Sequence, residues 1–383
     1  MTSMQYYRDL LAQTERIEAF QRAIAGGVRS GDSVLDIGTG LGTFAFFAAD
    51  AGAAQVWAVD GDPVVHVART IGLANGYDDR VRFLRGWLPD LEVPGRPNVV
   101  ILEDFPPRLL DARMARILSH VQDNVAASGA RYVPASATIC LAPLAGAKSS
   151  WACLGDADHK YAIDWSTTRE YAVNSVHYGP IDPAMLAAPA VTIATVDFGR
   201  SVAVDGLRGQ AAWDLDGGTE IDGLAYWFDI ELGDGITLSN APGASPASWG
   251  HCLLPIDPPL RFAEPGVLSA TAGPEWSNGE PGWFRWTATS GSDEREGHEF
   301  RGFPASAADL VGLSPDAVPR LNRDGHAAAR ALELADGTRP IRAIAQGLRE
   351  DIDSTLRQRD AERLVARMLV GKIENGCFPE TDQ

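Results

Sequence analysis

The stretch Val34-Leu35-Asp36-Ile37-Gly38-Thr39-Gly40-Leu41-Gly42 decides how the chain is read: a short apolar strand carrying one acid runs into three glycines spaced two apart, and a helix begins near Thr43. Glycines in that place let the backbone turn sharply between strand and helix, and they let a ligand approach the main chain with no Cβ in the way. Working outward, Ala54-Gln55-Val56-Trp57-Ala58-Val59-Asp60 is a second apolar strand, and it ends on an acid 22 residues after Gly38. An acid so placed receives the two hydroxyls of a ribose. Gly61-Asp62-Pro63 follows, so Asp60 also reads as a turn residue at a strand end, and the glycine loop alone as an ordinary turn. The two features together point to a nucleoside ligand.

The alternation continues on both sides. Residues 33–37, 55–59, 81–84 and 98–102 read as strands, 43–51, 63–75 and 111–125 as helices. Residues 6–24 form one helix or two with a break, with apolar positions at Tyr7, Leu10, Leu11, Ile17, Phe20 and Ile24. Strands separated by helices imply right-handed crossovers and a mainly parallel sheet. From Tyr132 the texture changes to β-rich runs at 137–144, 190–197, 209–215, 223–231, 248–254, 266–272 and 283–288, separated by Gly, Pro and Asp turns. That spacing predicts an antiparallel barrel or sandwich, with a less regular insertion at 159–186. A Pro/Ala/Ser linker follows Gly302, and 318–378 is helical in pattern. The expected domains are 1–135, 136–303 and 318–383.

Composition narrows the function classes. The chain has 383 residues, 45% apolar and 22% charged, which is ordinary for a globular protein. A net charge of −18 argues against nucleic acid as a partner and favours a cationic substrate. Cys140, Cys153, Cys252 and Cys377 lie far apart without a Cys-x-x-Cys, so neither a zinc site, or any metal, nor a disulfide framework is expected. Residues 1–9 lack the apolar core of a signal peptide, and no run reaches the roughly 18 apolar residues of a membrane span. A cytoplasmic protein with no membrane partner is the expectation.

Gly-x-Gly-x-Gly preceded by Asp36 resembles the loop of S-adenosylmethionine (SAM) methyltransferases, whereas dinucleotide enzymes usually carry Gly-x-Gly-x-x-Gly. A longer resemblance, over residues 5–303, is to the protein arginine methyltransferases. Its carriers are Tyr7-Arg8-Asp9-Leu10-Leu11 with Arg16, Phe20 and Ala23-Ile24; Phe44-Ala45-Phe46-Phe47-Ala48-Ala49-Asp50-Ala51-Gly52-Ala53; and Arg131-Tyr132-Val133-Pro134-Ala135-Ser136-Ala137. Trp227-Phe228-Asp229-Ile230-Glu231-Leu232 and Ala247-Ser248-Trp249 are similar to two barrel motifs, the second being Thr-His-Trp in typical members. The fold this implies is α/β: a Rossmann-like SAM methyltransferase domain followed by an antiparallel β-barrel domain and a small C-terminal winged-helix domain.

The resemblance also implies roles. Arg16 grips the methionyl carboxylate of SAM, Asp36 faces its amino group, Gly38, Gly40 and Gly42 form the cradle, Asp60 takes the ribose, and Gly86 and Trp87 fall beside the adenine. Without the resemblance, Arg16 reads as a surface helix arginine. Methyl transfer from a sulfonium to nitrogen is mostly a matter of positioning the two reactants. A guanidinium has a pKa above about 12 and delocalised lone pairs, so carboxylates must orient one nitrogen and stabilise the charge. Typical members use two glutamates on a hairpin after the fourth strand.

In this chain the hairpin reads Leu102-Glu103-Asp104-Phe105-Pro106-Pro107-Arg108-Leu109-Leu110-Asp111, and Glu103 sits on the first glutamate. Ala112 occupies the place of the second. Asp111, one residue earlier, is either its catalytic substitute or the N-cap of the next helix. The family's Trp-Met-Gly-Tyr interior has become Asp104-Phe105-Pro106-Pro107. Arg108 is an obstacle to a guanidinium unless it points away or meets a substrate carboxylate. The histidine of Thr-His-Trp is Ser248, with His251 nearby. Tyr7, Arg108, Trp249 and His251 are the expected substrate-binding residues.

Two further segments carry expectations. Arg320-Leu321-Asn322, then Leu334-Ala335-Asp336-Gly337-Thr338-Arg339-Pro340-Ile341-Arg342-Ala343-Ile344-Ala345, helix 360–372 and Gly376-Cys377-Phe378 resemble PqqD-like winged-helix modules. Such modules bind a leader peptide by strand addition, the alternative being a packing domain. The 159–186 insertion stands where the family has its dimerisation arm, so a homodimer is expected, with Trp165, Tyr171 and Tyr178 as contacts or as core aromatics. The activity implied is methylation of an arginine guanidino nitrogen, in free arginine or a peptide of bacterial specialised metabolism. The alternatives are another nucleophile of a modified peptide, or a SAM-binding scaffold subunit without turnover.

Overall fold

Helix α2 (Thr14–Gly27) buries Arg16, Ala19, Phe20, Ala23 and Ile24, a stripe at helical spacing that packs Phe20 on Phe44 with ring centroids 4.7 Å apart. The computed structural model describes residues 4–151, 163–200, 207–244, 249–277, 280–304, 318, 320–351 and 355–374. Helix α1 (Met4–Leu11) precedes α2 and has no buried residue, so residues 6–24 are two helices with a break at Ala12-Gln13.

Strands β1 (Ser33–Ile37), β2 (Gln55–Asp60), β3 (Val81–Arg85), β4 (Val99–Leu102) and β5 (Arg131–Val133) form a parallel sheet in the order β3-β2-β1-β4-β5. The crossovers carry α3 (Thr43–Asp50), α4 (Val65–Ala74) and α5 (Ala112–His120), which runs on into a π-turn over Val121–Val125. The central strands β1 and β4 are almost wholly buried, hence their unbroken apolar runs. The strand order reverses beside β1, and Ile37 pairs with Leu102. That register sets the loops leaving β1 and β4 side by side at the carboxyl edge, where open α/β sheets bind ligands.

The second half is antiparallel. Helix α6 (Lys148–Trp151) follows β6 (Ser136–Leu144). Beyond it lie α7 (Thr168–Val173), β7 (His177–Gly179), β8 (Val191–Asp197), β9 (Gly209–Leu215), β10 (Thr219–Gly233), β11 (Ile236–Ser239), β12 (His251–Phe262), β13 (Gly266–Ser277), β14 (Glu280–Ser290) and β15 (Asp293–His298). One sheet runs β7-β12-β10-β6-β8 with β11 on β10, and the other β15-β14-β13-β9. They meet through buried aromatics: Tyr226 stands edge-on to Phe284 at 5.1 Å, and Trp286 Nε1 donates to the Pro255 carbonyl at 2.7 Å. The short strands β7, β11 and β15 carry no alternating apolar pattern of their own, and the sequence reading passes over them. In the insertion, Tyr171 and Tyr178 are exposed while Trp165 is half-buried; residues 159–162 lie outside the described residues. Helix α8 (Glu299–Gly302) closes this part.

Parallel and antiparallel halves share one hydrophobic core and belong to one compact unit, Met1–Asp60 with Val64–Pro304. A second unit holds α9 (Arg323–Leu334), α10 (Ile341–Asp351) and α11 (Gln358–Glu374) around Ala331, Ile344, Ala345, Leu348, Ala361 and Val365. Asn322 caps α9 through Gly325 N at 2.8 Å, and Asp336 Oδ1 accepts both the N–H and the hydroxyl of Thr338 at the turn before α10. Among its described residues this unit has helices and no strand; Gly376-Cys377-Phe378 lies outside them. The sheet edge that strand addition requires is therefore not part of the described unit.

Candidate active site

Gly38, Gly40 and Gly42 take φ values of 74°, 54° and 88°, which side chains with a Cβ adopt at a cost. Gly38 and Thr39 N–H both donate to the Val59 carbonyl, at 2.9 and 3.0 Å, so the loop is tied to the end of β2. A Cβ on Gly40 would lie 3.1 Å from Tyr7 Cε1, and one on Gly38 would lie 3.0 Å from Asp104 Cβ. Tyr7 of α1 thus lies over one glycine and the β4 loop over another. Asp60 Oδ2 accepts the Gly40 N–H at 2.8 Å, so this acid shapes the cradle as well as bordering it. Gly86 N–H donates to the Asp60 carbonyl at 3.0 Å, and Trp87 is exposed on the rim with the Arg113 guanidinium 5.7 Å from its ring centroid.

Behind the loop, Asp36 is 1% exposed and accepts the Thr39 hydroxyl at 2.6 Å. Burial pushes its pKa up to about 7 against the pull of that hydroxyl, and the Asp60 and Glu103 charges add to the rise. Thr39 is a site residue the sequence reading passes over; its place between two glycines was the available signal.

Arg16, on the buried stripe of α2, forms an ion pair through Nη1 with Glu103 Oε1, and its Nη2 donates to the Leu10 carbonyl at 3.1 Å. Its Nε is buried with no hydrogen-bond partner, a donor still to be satisfied. Burial pushes the Glu103 carboxyl up to about 7, and the Arg16 charge opposes the rise without cancelling it. Asp36, Asp60, Glu103 and Arg16 therefore make one group at the carboxyl edge of β1, β2 and β4.

The loop after β4 is held from the barrel. Trp249 Nε1 donates to the Glu103 carbonyl at 3.3 Å, and Phe105 packs among Phe198, Phe228 and Trp249 with centroids 5.5, 6.1 and 6.5 Å away. Leu109 is fully buried at φ 71°. Asp111 Oδ1 accepts the Met114 N–H at 2.8 Å, so this carboxylate is occupied as the N-cap of α5, and Ala112 is the first helical residue. Of the two acids sought, the structure thus leaves Glu103, and it pairs that carboxylate with Arg16. Arg108 does not stand free to meet a substrate carboxylate: its Nη1 pairs with Glu299 Oε2 at 2.9 Å. His251 is buried in β12, its Nδ1 accepting the Ile181 N–H at 2.8 Å, and burial lowers its pKa while the Ala241 carbonyl works the other way. It is built into the barrel wall, and Ser248 lies outside the described residues.

Comparison with known proteins agrees with this fold. The family model described as ribosomal protein L11 methyltransferase (PrmA) matches residues 15–102, the cofactor half of the first unit. Over 271 residues the chain is 24% identical to protein arginine N-methyltransferase 6 of Xenopus laevis, covering 67% of this chain and 80% of that protein. It is 26% identical over 276 residues to the arginine N(omega)-methyltransferase of Streptomyces achromogenes subsp. streptozoticus, covering 70% and 75%. The fold matches the Trypanosoma brucei PRMT1 enzyme-prozyme heterotetrameric complex with AdoHcy at a TM-score of 0.67, with 18% identity, over 76% of this chain and 97% of that one. Arabidopsis thaliana protein arginine methyltransferase 10 matches at 0.63, with 19% identity, over 78% and 98%. The chain is similar, over about two thirds of its length, to arginine methyltransferases. The cradle suits SAM. The orphaned Arg16 Nε is a donor that a carboxylate would satisfy, Asp36 is an acid beside the glycine loop that suits an ammonium, and Asp60, ending β2 at that loop, is an acid that suits a pair of hydroxyls.

Proposed function

We propose that this methyltransferase modifies a guanidino nitrogen of arginine, free or within a peptide of bacterial specialised metabolism, with Glu103 as the group that grips the guanidinium. One observation carries the reading: Glu103 is a buried carboxylate at the end of β4 that already holds a guanidinium, that of Arg16. SAM, when bound, supplies an electrophilic sulfonium methyl. Arg16 and Asp36 hold its amino-acid end, and Asp60 and the glycine loop hold the nucleoside. Glu103 accepts the N–H groups of the acceptor, draws the positive charge toward itself and leaves one nitrogen directed at the cradle. Phe105 and Trp249 exclude water around that grip. The acid is single because Asp111 caps α5, so the pocket relies on one carboxylate where typical members use two.

The second unit is proposed to dock a peptide acceptor or its leader, and the chain to work as an oligomer through the 163–186 segment; the Trypanosoma brucei neighbour is a heterotetramer. The test is mass spectrometry of the purified protein incubated with SAM and, separately, L-arginine, agmatine and an arginine-containing peptide. A gain of one methyl on any of these supports the reading, and the acceptor that responds tells whether the second unit takes part. Turnover of SAM on no guanidine, with methylation of an amine or carboxylate instead, overturns it.

A further inference from the structure

The loop carrying Glu103 contains one cation, Arg108, that the cofactor site does not use. Its Nη1 lies 2.9 Å from Glu299 Oε2, at the end of the barrel, and the same oxygen accepts the Phe284 N–H at 2.9 Å. The guanidinium carbon sits 5.8 Å from the Phe284 ring centroid and 6.0 Å from that of Tyr178. Both charged side chains are mostly buried, at 23% and 19% exposure. A guanidinium held by a carboxylate that is itself pinned to a strand, with two aromatic faces beside it, has little freedom to reorient.

We infer that Arg108 is a positioning residue for Glu103: it fixes the far end of the loop to the barrel, so that the carboxylate five residues earlier is aimed at the acceptor. The near end is fixed by Trp249 on the Glu103 carbonyl and by the aromatic seat of Phe105. Immediately after the far anchor the backbone passes through the left-handed Leu109, which short-range forces disfavour and the Arg108 contact helps to hold. The pairing has an electrostatic side as well. Glu299 neutralises Arg108, so this guanidinium does not repel a cationic acceptor entering beside Glu103.

The inference rests on Glu103 being the grip, and its test separates the two ideas. Arg108→Gln and Glu299→Gln are compared with wild type in the full chain with bound S-adenosylhomocysteine, reading amide exchange over residues 104–110 without any acceptor. Both variants are expected to exchange there roughly ten-fold faster, with S-adenosylhomocysteine affinity within about two-fold of wild type. Where an acceptor turns over, kcat falls roughly ten-fold or more in both, and KM for the acceptor rises further in Glu299→Gln, which leaves a bare cation by the pocket. Arg108→Lys, which keeps a charge over both rings, recovers most of the protection. Unchanged exchange in Arg108→Gln, or a loss of cofactor affinity as large as the loss of kcat, overturns the inference. Absence of turnover on every guanidine would instead remove the proposed function and leave the exchange result to decide this one.

Discussion

Replacing Glu103 with Gln removes the anion from the Arg16 guanidinium, whose side chain is 3% exposed and keeps only the Leu10 carbonyl. Breaking a buried ion pair by removing one partner costs about 3–5 kcal/mol. The glutamine oxygen retains an acceptor, and the burial cost that pushes Glu103 up to about 7 is relieved, which puts the value near the low end, about 3 kcal/mol. For a unit of about 300 residues, unfolding entropy of about 2.1 cal/mol/K per residue converts this to a fall of about 5 °C in Tm. Turnover falls further, by about 10²–10³, because a charge aimed at the acceptor cation is gone. The assay is a thermal melt at about pH 8 and about pH 6, with S-adenosylhomocysteine release as the activity readout. At the lower pH the wild-type carboxyl takes up a proton and wild type gains the stability that its raised pKa takes away at high pH, whereas Gln does not titrate, so the Tm gap widens. A gap under about 1 °C at the higher pH, or a kcat within about three-fold of wild type, would refute the reasoning.

Other outcomes follow from neighbouring features. Asp36 and Glu103 rise from ordinary values of 3.8 and 4.5 to about 7, so between these limits the folded protein binds more protons than the unfolded chain. Their contribution to stability is complete in acid and is lost as pH rises through about 7, whereas activity, which needs both ionised, rises over the same window; Asp36→Asn should flatten the melting profile there. Asp60→Ala should weaken S-adenosylhomocysteine binding by roughly ten-fold or more in calorimetry, since it removes both the acid proposed for the ribose and the acceptor of the Gly40 N–H. Gly40→Ala should act in the same direction, from a left-handed φ of 54° and a Cβ 3.1 Å from Tyr7, with a stability cost of about 1 kcal/mol. Asp111→Ala should lower stability by about 1 kcal/mol, the usual worth of an N-cap, with S-adenosylhomocysteine affinity unaltered.

The cofactor half was legible because its determinants are local. The apolar run into Gly38, Gly40 and Gly42, and the acid ending β2, are short-range consequences of a tight turn and a strand end, and they can be read within some 25 residues. The buried stripe of α2 that carries Arg16 is likewise written in its spacing. What could not be read is what the chain joins at a distance. The ambiguity at Asp111 turns on whether a carboxylate oxygen meets the Met114 N–H or a ligand, and the residue type suits both. Arg108 in isolation is a cation in the wrong pocket; its meaning lies in Glu299, which no spacing rule connects to it. His251 has the right chemistry and the wrong depth, because strand alternation points it into the barrel wall.

The contact between Arg108 and Glu299 joins residues 191 positions apart in the chain. During synthesis at about 5–20 residues per second, the segment bearing Glu103 leaves the ribosome roughly 10–40 s before Glu299, to which its loop is tied. Until Phe198, Phe228, Trp249 and finally Glu299 have emerged, the loop that bears Glu103 has no frame. Competence for chemistry is thus a late event in this protein's birth, coupled to completion of the barrel, and a nascent or truncated chain that binds cofactor is not for that reason an active one.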